Sequence, residues 1–199
     1  MQPVYYEDFD EVKNKIWLML DNAIKDRGSP FRIPVFICGG QDDFDGRIVV
    51  LRKSDRENNL VQYHSDIRSD KIAKLKANKN AAMLFYDKDE KIQVRLKVEC
   101  TINHDNDITK QSWLKTGHMS RKCYLVDHGP GTLSETPTSG LKPELDNFEF
   151  TMEQSEVGYK NFTVIQCKIK SIEWLYLAAK GHRRARFDLE NNKDTWLIP

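Results

Sequence analysis

The sequence lacks a long apolar run and carries almost no net charge. No segment approaches the roughly 20 consecutive apolar residues that span a bilayer. The acidic, aromatic N-terminus also lacks the basic-then-apolar layout of a signal peptide. The 31 basic and 30 acidic residues leave a formal net charge of +1, which creates no overall field for nucleic acid or anionic membrane. We therefore expect a cytoplasmic protein with neither kind of partner.

Motifs typical of metal and nucleotide sites are missing as well. The four cysteines are widely spaced without a CxxC pair, so neither a metal knuckle nor a disulfide framework is indicated. Without HxH or HExxH spacing, we expect no metal site. The chain also has no GxGxxG or GxxxxGKS/T motif, so a Rossmann or P-loop nucleotide site is not supported.

What is present fits one domain over residues 1–199. Apolar residues three or four apart predict an N-terminal packing helix over residues 7–27. Several short strand patterns with polar turns follow, which favour a mainly β (α+β) fold, a barrel with flanking helices. Residues 104–146 begin with a possible helix and then become rich in Gly, Pro, Ser and Thr. They predict a flap-like insertion.

The most informative stretch is residues 47–71, where two β-rich segments joined by a polar link predict a hairpin. A short basic helix is predicted to follow from Ser69. A phosphate monoester needs several directed donors, which arginine forks, hydroxyls and a helix N-terminus supply. The alternative is that these charges are solvated at strand ends, and Asp66 and Asp70 weaken a pure phosphate argument. The candidate phosphate ligands are Arg47, Arg52, Ser65, Arg68, Ser69 and Lys71.

Two further features have ligand-binding chemistry. Gln93 lies on the polar face of an alternating strand, and its amide offers the donor and acceptor that a flat heteroaromatic ring edge requires. His182, Arg184 and Arg186 would share one face of a strand near the C-terminus. The alternatives for this run are a solvated cluster and an RNA-binding cluster. The near-zero net charge disfavours RNA binding.

Taken together, these segments resemble the pyridoxamine 5′-phosphate oxidase-like FMN-binding split-barrel family. The likeness spans about residues 31–199 and is closest to the family's broader FMN-binding branch rather than to the true oxidases. The matching segments, in chain order, are RIVVLRK at 47–53, YHSDIRSDK at 63–71, LFYDKDEKIQVRLK at 84–97, SRKCY at 120–124 with PGT at 130–132, EWLYL at 173–177, RRARF at 183–187 and WLIP at 196–199.

The resemblance implies a six-stranded antiparallel split barrel in a homodimer, with FMN held at the subunit interface. It implies that Gln93 meets the isoalloxazine ring and that the ends of the predicted hairpin hold the phosphate. The implied FMN-binding residues are Arg47, Ile48, Val49, Val50, Leu51, Arg52, His64, Ser65, Arg68, Ser69, Lys71, Gln93, Trp174 and Arg186. The implied substrate-binding residues are Arg121, His182 and Arg184.

Three positions depart from the pattern of the true oxidases. Asp70 stands where they have an arginine, and Arg52 stands where they have a substrate-binding lysine. Their Arg-x-His substrate pair is represented here by residues 182 and 184, in the order His-x-Arg. The resemblance thus supports FMN binding better than pyridoxamine phosphate oxidation.

We expect an FMN-dependent oxidoreductase that acts on a small anionic substrate. Two alternatives remain open. One is a flavin- or haem-binding protein on the same barrel without turnover, and the other is an interaction module with an empty barrel.

Overall fold

The computed structural model describes residues 4–40, 43–142, 145 and 150–199. Its helices are α1 (Phe9–Lys25), α2 (Asp70–Ala77), α3 (Asp107–Leu114), α4 (His118–Arg121) and α5 (Met152–Ser155). Its strands are β1 (Val35–Gly39), β2 (Phe44–Ile48), β3 (Leu51–Asp55), β4 (Leu60–Asp66), β5 (Asn80–Asp87), β6 (Ile92–Asn103), β7 (Phe162–Tyr176), β8 (Arg183–Asp188) and β9 (Lys193–Leu197). Short 3-10 turns lie at Val4–Glu7, Pro30–Arg32, Lys122–Tyr124 and Glu156–Asn161. None of the described helices has the length and apolar character that crossing a bilayer requires.

The strands form one antiparallel sheet in the order β2-β1-β5-β6-β7-β4-β3, and β8 and β9 branch from β7. The branch exists because β7 is long. Its residues 162–168 pair with β4, and its residues 171–176 pair with β8. The sheet therefore splits beside the middle of β7 and stays open there.

The core lies on the inner face of this sheet and is covered by α1. The helix begins after Asp8, whose carboxylate accepts a hydrogen bond from the backbone N–H of Glu11 at 2.9 Å, the usual N-cap geometry. Its apolar stripe, which includes Val12, Ile16 and Leu20, is fully buried in the same cluster as the inward side chains of the strands. Burying each such side chain contributes about 1.5–3 kcal/mol. The predicted N-terminal packing helix is confirmed.

The predicted hairpin is only partly correct. β3 and β4 form a hairpin, but the apolar run at 47–53 belongs to two strands rather than one. Its first residues end β2, which pairs with β1, and its last residues begin β3 at the opposite end of the strand order. Val49 and Val50 connect the two. A continuous apolar run does not reveal where a chain changes its pairing partner, which is one reason why the described residues form nine strands where six were expected.

The region predicted as a flap contains more regular structure than its composition suggests. Asn106 caps α3 with a reciprocal capping box to Thr109, and Trp113 from this helix packs its ring 5.1 Å from that of Phe162 on β7. The guanidinium of Arg68 donates to the carbonyls of Val126 at 3.2 Å and of Asp127 at 3.1 Å. These two hydrogen bonds hold the loop that contains Val126 and Asp127 in place. Residues 143, 144 and 146 of the predicted flap lie outside the described residues.

Candidate functional site

The first group of site residues surrounds the start of α2. Lys71 is only 9% exposed, and its ammonium donates to the hydroxyls of Ser65 at 2.9 Å and Ser69 at 2.8 Å. In the part of the chain that the structure describes, this ammonium has no salt bridge to a carboxylate. Burial lowers the pKa of Lys71, and the nearby positive charge of Arg47 lowers it further. A buried cation held only by neutral hydroxyls is electrostatically suited to an anion.

Local structure explains why these groups meet. Ser65 is one of the inward-facing residues at the end of β4, and Ser69 occupies the N-cap position of α2. The Ser69 hydroxyl makes no capping hydrogen bond and accepts instead from the ammonium of Lys71, two residues further along. The combination of an N-cap serine and a lysine in the first turn is what the sequence offered as a phosphate signal.

Arg47 reaches the same corner from β2. Its Nη1 donates to Oδ1 of Asp70 at 2.9 Å and its Nη2 to Oδ2 at 3.4 Å, and it also pairs with Asp45. Its Nε is buried and has no hydrogen-bond partner among the residues described. We define Arg47, Ser65, Ser69 and Lys71 as the phosphate corner, following the function that the sequence predicts for it.

A cavity of about 510 Å³ lies on the opposite face of β4, between the end of α1, β3 and the α3–α4 region. Gln62 and His64 line it, whereas Ser65 points the other way, because successive side chains of a strand alternate. Four basic residues and no acidic residue line this cavity: Arg32, Arg52, Lys53 and Lys115. We call it the basic cavity.

Arg52 is a cation of the basic cavity that, like Lys115, has no ion-pair partner among the described residues. It lies where the register of β3 against β4 shifts between Leu51 and Lys53, at a β-bulge, and bulges redirect side chains. Its guanidinium has no hydrogen bond or ion pair with any described residue, and burial lowers its pKa. By contrast, Arg32 donates to the carbonyls at the end of α1, and Lys53 pairs with Asp55.

His64 is neutral beside Arg52. Burial lowers the pKa of His64 to about 3, and the charge of Arg52 contributes in the same direction. At neutral pH the imidazole is therefore a hydrogen-bonding group without charge, and Arg52 supplies the positive charge on this wall.

This shift predicts a pH-dependent stability. In the unfolded protein His64 takes up a proton as the pH falls below its usual pKa of 6.5. In the folded protein its pKa is about 3, so it stays neutral through this range. The free energy of unfolding should therefore fall as the pH falls through that window, by up to about 1.4 kcal/mol per pH unit from this residue. Urea unfolding of the wild type and His64→Gln at several pH values measures the difference. Replacing the exposed His128 by glutamine should leave the slope unchanged, and equal slopes in all three proteins would contradict the assignment.

A second cationic group lies on the outer face of the sheet, where Glu173 is surrounded by arginines. Its carboxylate accepts from Nε of Arg184 at 2.9 Å and from Nη2 of Arg186 at 3.4 Å, and it also pairs with Arg95. Burial alone would raise the pKa of Glu173, but the hydrogen bonds from Arg95 and Arg184 outweigh it and lower that pKa. Gln93 lies on this face as well. It pairs with Leu175 on β7, which in turn pairs with Arg184 on β8.

Arg121, expected to bind substrate, is not available for it. The side chain is 1% exposed, and its guanidinium donates to the carbonyls of Thr116 at 3.1 Å and Trp113 at 2.8 Å. It also donates to Ser155 and pairs with Glu156. These contacts join α3 to the segment before β7, so Arg121 has a structural role here, and its substrate role stays a prediction that the contacts do not support. The sequence could not show this because Ser155 and Glu156 are distant in the chain.

Three further residues predicted to bind FMN have side chains that are buried or paired within the chain. Trp174 is fully buried in the core with its ring 5.2 Å from that of Tyr6, so it faces away from Gln93. Leu51 is fully buried as well. Arg68 makes a two-point ion pair with Asp66 and also donates to two loop carbonyls.

The remaining predicted residues are divided among separate places. Ile48 is exposed on the outer face of β2, Val49 is buried and Val50 is half-buried. His182 accepts a hydrogen bond from the backbone N–H of Ala178 at 3.0 Å and lines a cavity of about 400 Å³ near the C-terminus, together with Arg184. In one chain, no described hydrogen bond or ion pair joins the phosphate corner, the basic cavity and the arginines around Glu173.

Comparison with known proteins gives a family and a fold. Residues 39–104 match the family model of the pyridoxamine 5′-phosphate oxidase, FMN-binding domain. This segment contains the phosphate corner, Arg52 and Gln93. No curated protein matches the chain.

Two solved structures are similar over nearly the whole chain. One is a pyridoxamine 5′-phosphate oxidase-related FMN-binding protein from Nostoc punctiforme, with 15% identity and a TM-score of 0.71, covering 94% of this chain and 97% of that one. The other is PhzG from Burkholderia lata, solved with tetrahydrophenazine-1-carboxylic acid, with 14% identity and a TM-score of 0.71, covering 100% and 98%. They confirm the split-barrel fold with flanking helices, and the similarity of residues 39–104 to the pyridoxamine 5′-phosphate oxidase FMN-binding domain supports the family expected from the sequence.

Proposed function

We propose that this protein binds FMN and is an FMN-dependent oxidoreductase acting on a small anionic substrate. The observation that carries the proposal is the Lys71 ammonium, which is buried between two serine hydroxyls without a carboxylate partner among the described residues. Burying an ammonium in this way is costly unless an anion joins it. The similarity of residues 39–104 to an FMN-binding domain supports the phosphate of FMN as that anion.

The phosphate corner fits the chemistry of a phosphate monoester. Lys71 brings a positive charge, Ser65 and Ser69 bring hydroxyls, and Arg47 brings a planar fork with a buried Nε that has no described partner. Gln93, on the outer face, offers an amide donor and acceptor to the edge of the ring. Bound FMN supplies two-electron transfer, and the protein supplies binding, orientation and electrostatics.

The basic cavity supports an anionic substrate. Its lining includes no carboxylate, and Arg52 presents a guanidinium that no described residue pairs with. An arginine fork recognises a carboxylate or phosphate by two parallel hydrogen bonds. Neutral His64 beside it adds a hydrogen-bonding group without repelling the arginine further.

We also propose that the protein is a homodimer with FMN at the subunit interface. An outer apolar patch covers β2, β1 and β5, and its side chains share one face according to the strand registers. It consists of the half-buried Val35, Ile37 and Leu84 and the exposed Phe44, Ile48 and Tyr86. Large exposed apolar patches mark interaction surfaces. Tyr86 pairs with Gln93, so the patch borders the proposed flavin-ring residue, and a partner bound there would help complete the site.

A visible spectrum of the purified protein tests the proposal. Flavin absorption that survives gel filtration, or that appears after FMN is added and free flavin is removed, is the expected result. A colourless protein whose spectrum ignores added FMN would exclude both FMN-binding functions. Anaerobic photoreduction, followed by air or candidate anionic substrates, then separates an oxidoreductase from a flavin carrier, because a carrier gives no substrate-dependent turnover.

A further inference from the structure

The phosphate corner contains a carboxylate in the place where an anionic ligand would be held. Oδ1 of Asp70 accepts from Nη1 of Arg47 at 2.9 Å and from the backbone N–H of Lys71 at 2.8 Å, in the first turn of α2. Oδ2 accepts from Nη2 of Arg47 at 3.4 Å. A carboxylate bound by an arginine fork and a helix N-terminal amide makes the same contacts as a bound phosphate.

Only part of the positive charge at this corner is matched without a ligand. Arg47 pairs with Asp70 and Asp45, whereas Lys71 has no carboxylate partner among the described residues. Lys74, one turn further along α2, pairs with Asp43. A phosphate that enters meets the unpaired Lys71 and the already paired Arg47, and it approaches the carboxylate of Asp70 at close range. Like charges at such distances repel, so the gain from the phosphate group is reduced.

The contact between Asp70 and Arg47 is one that a ligand can displace. The side chain of Asp70 is 62% exposed and that of Arg47 is 26% exposed, so water screens the pair and its contribution is small. Lys71, by contrast, stays buried and fixed by two hydroxyls. The phosphate corner therefore contains Lys71, whose ammonium is fixed, and Arg47, whose partner Asp70 a ligand can displace.

We propose that Asp70 is an internal counter-anion that competes with the phosphate of the ligand for Arg47 and so sets how strongly this site prefers phosphorylated over unphosphorylated flavin. The inference rests on the proposed FMN binding. In the native protein the phosphate gains the contact with Lys71 but little from Arg47, because its arrival must displace Asp70 from that arginine. Removing the charge of Asp70 frees Arg47 and should increase the preference for FMN over riboflavin.

The test is a fluorescence-quenching titration of the full-length protein with FMN and with riboflavin, which lacks the phosphate. Asp70→Asn should bind FMN about tenfold more tightly, the effect of removing one close like charge at a partly exposed site, and should bind riboflavin within about twofold of the wild type. Asp70→Ser, which also removes the amide-sized side chain, should show the same selectivity. Glu190→Gln removes an equal charge at the β8–β9 turn and should change neither affinity.

Each other outcome has a distinct meaning. Unchanged FMN affinity in both Asp70 variants, or an equal gain for FMN and riboflavin, overturns the role of Asp70 while leaving FMN binding intact. Binding of neither flavin by the wild type and both variants overturns the proposed function itself, and the role of Asp70 with it. Thermal unfolding of each variant shows whether it is folded before its affinity is compared.

Discussion

Replacing Lys71 with methionine is expected to weaken FMN binding by between about tenfold and a hundredfold, because it removes a charge-assisted contact to the phosphate. The effect should be confined to the phosphorylated flavin, so riboflavin affinity should change little. Stability should be preserved or improved, because burial disfavours the charge of Lys71 and lowers its pKa, and methionine fills a similar volume without a charge to bury. Equilibrium titration of both flavins, with urea unfolding of both proteins, measures these changes.

The same helix provides a matched control for this substitution. Lys76 lies on α2 but is exposed, so Lys76→Met makes the same chemical change outside the phosphate corner. We expect it to leave the affinity for FMN unchanged. Equal losses in the two variants would indicate a general effect of the net charge, and no loss in Lys71→Met would contradict the phosphate assignment.

Replacing Phe44 with aspartate is expected to dissociate the proposed homodimer. The side chain is 72% exposed in the single chain, so the folded subunit should tolerate the change. In a dimer that covers the outer apolar patch, the new carboxylate would be buried without a partner, at a cost of several kcal/mol. Sedimentation velocity over a range of concentrations should show a monomer, and the affinity for FMN should fall with it because the ring residues lie beside the patch.

A second aspartate substitution separates this effect from a general one. Leu114 on α3 is 76% exposed and distant in sequence from the patch, so Leu114→Asp should leave the assembly unchanged. A wild-type protein that sediments as a monomer at every concentration would contradict the dimer directly. A Phe44→Asp variant that remains dimeric would mean that the subunits associate through another surface.

The sequence predicted the fold class and the phosphate corner because both leave local signals. Alternation along residues 92–98 marks a half-buried strand, and Lys71 follows Ser69 at a helix start, although spacing alone left solvated charges as an alternative at that corner. The resemblance to a family extended these local signals to the whole sheet. What it could not supply was the direction of each side chain in this particular chain.

The observed positions differ from the expected ones where the direction of a side chain, or a partner distant in the chain, decides the contacts of a residue. Trp174 was expected at the flavin, but the register of β7 directs Glu173 outward and Trp174 into the core. Arg52 is directed into the basic cavity by a bulge, which leaves no trace in composition or period. Arg121 is bound to groups from segments that lie far away in the chain. A single sequence contains no information on such contacts.

The position of β7 in the chain has a consequence for biosynthesis. This strand pairs with β4, β6 and β8, yet it is made late, and Lys168 must reach back to Leu60 to form the β4–β7 ladder. Until it leaves the ribosome, β4 and β6 each have an unpaired edge, a state that favours association with other nascent chains. Folding that waits for such distant pairings is slow. The length of β7 that opens the barrel therefore also makes the joining of the sheet depend on a strand that is synthesised after both β4 and β6.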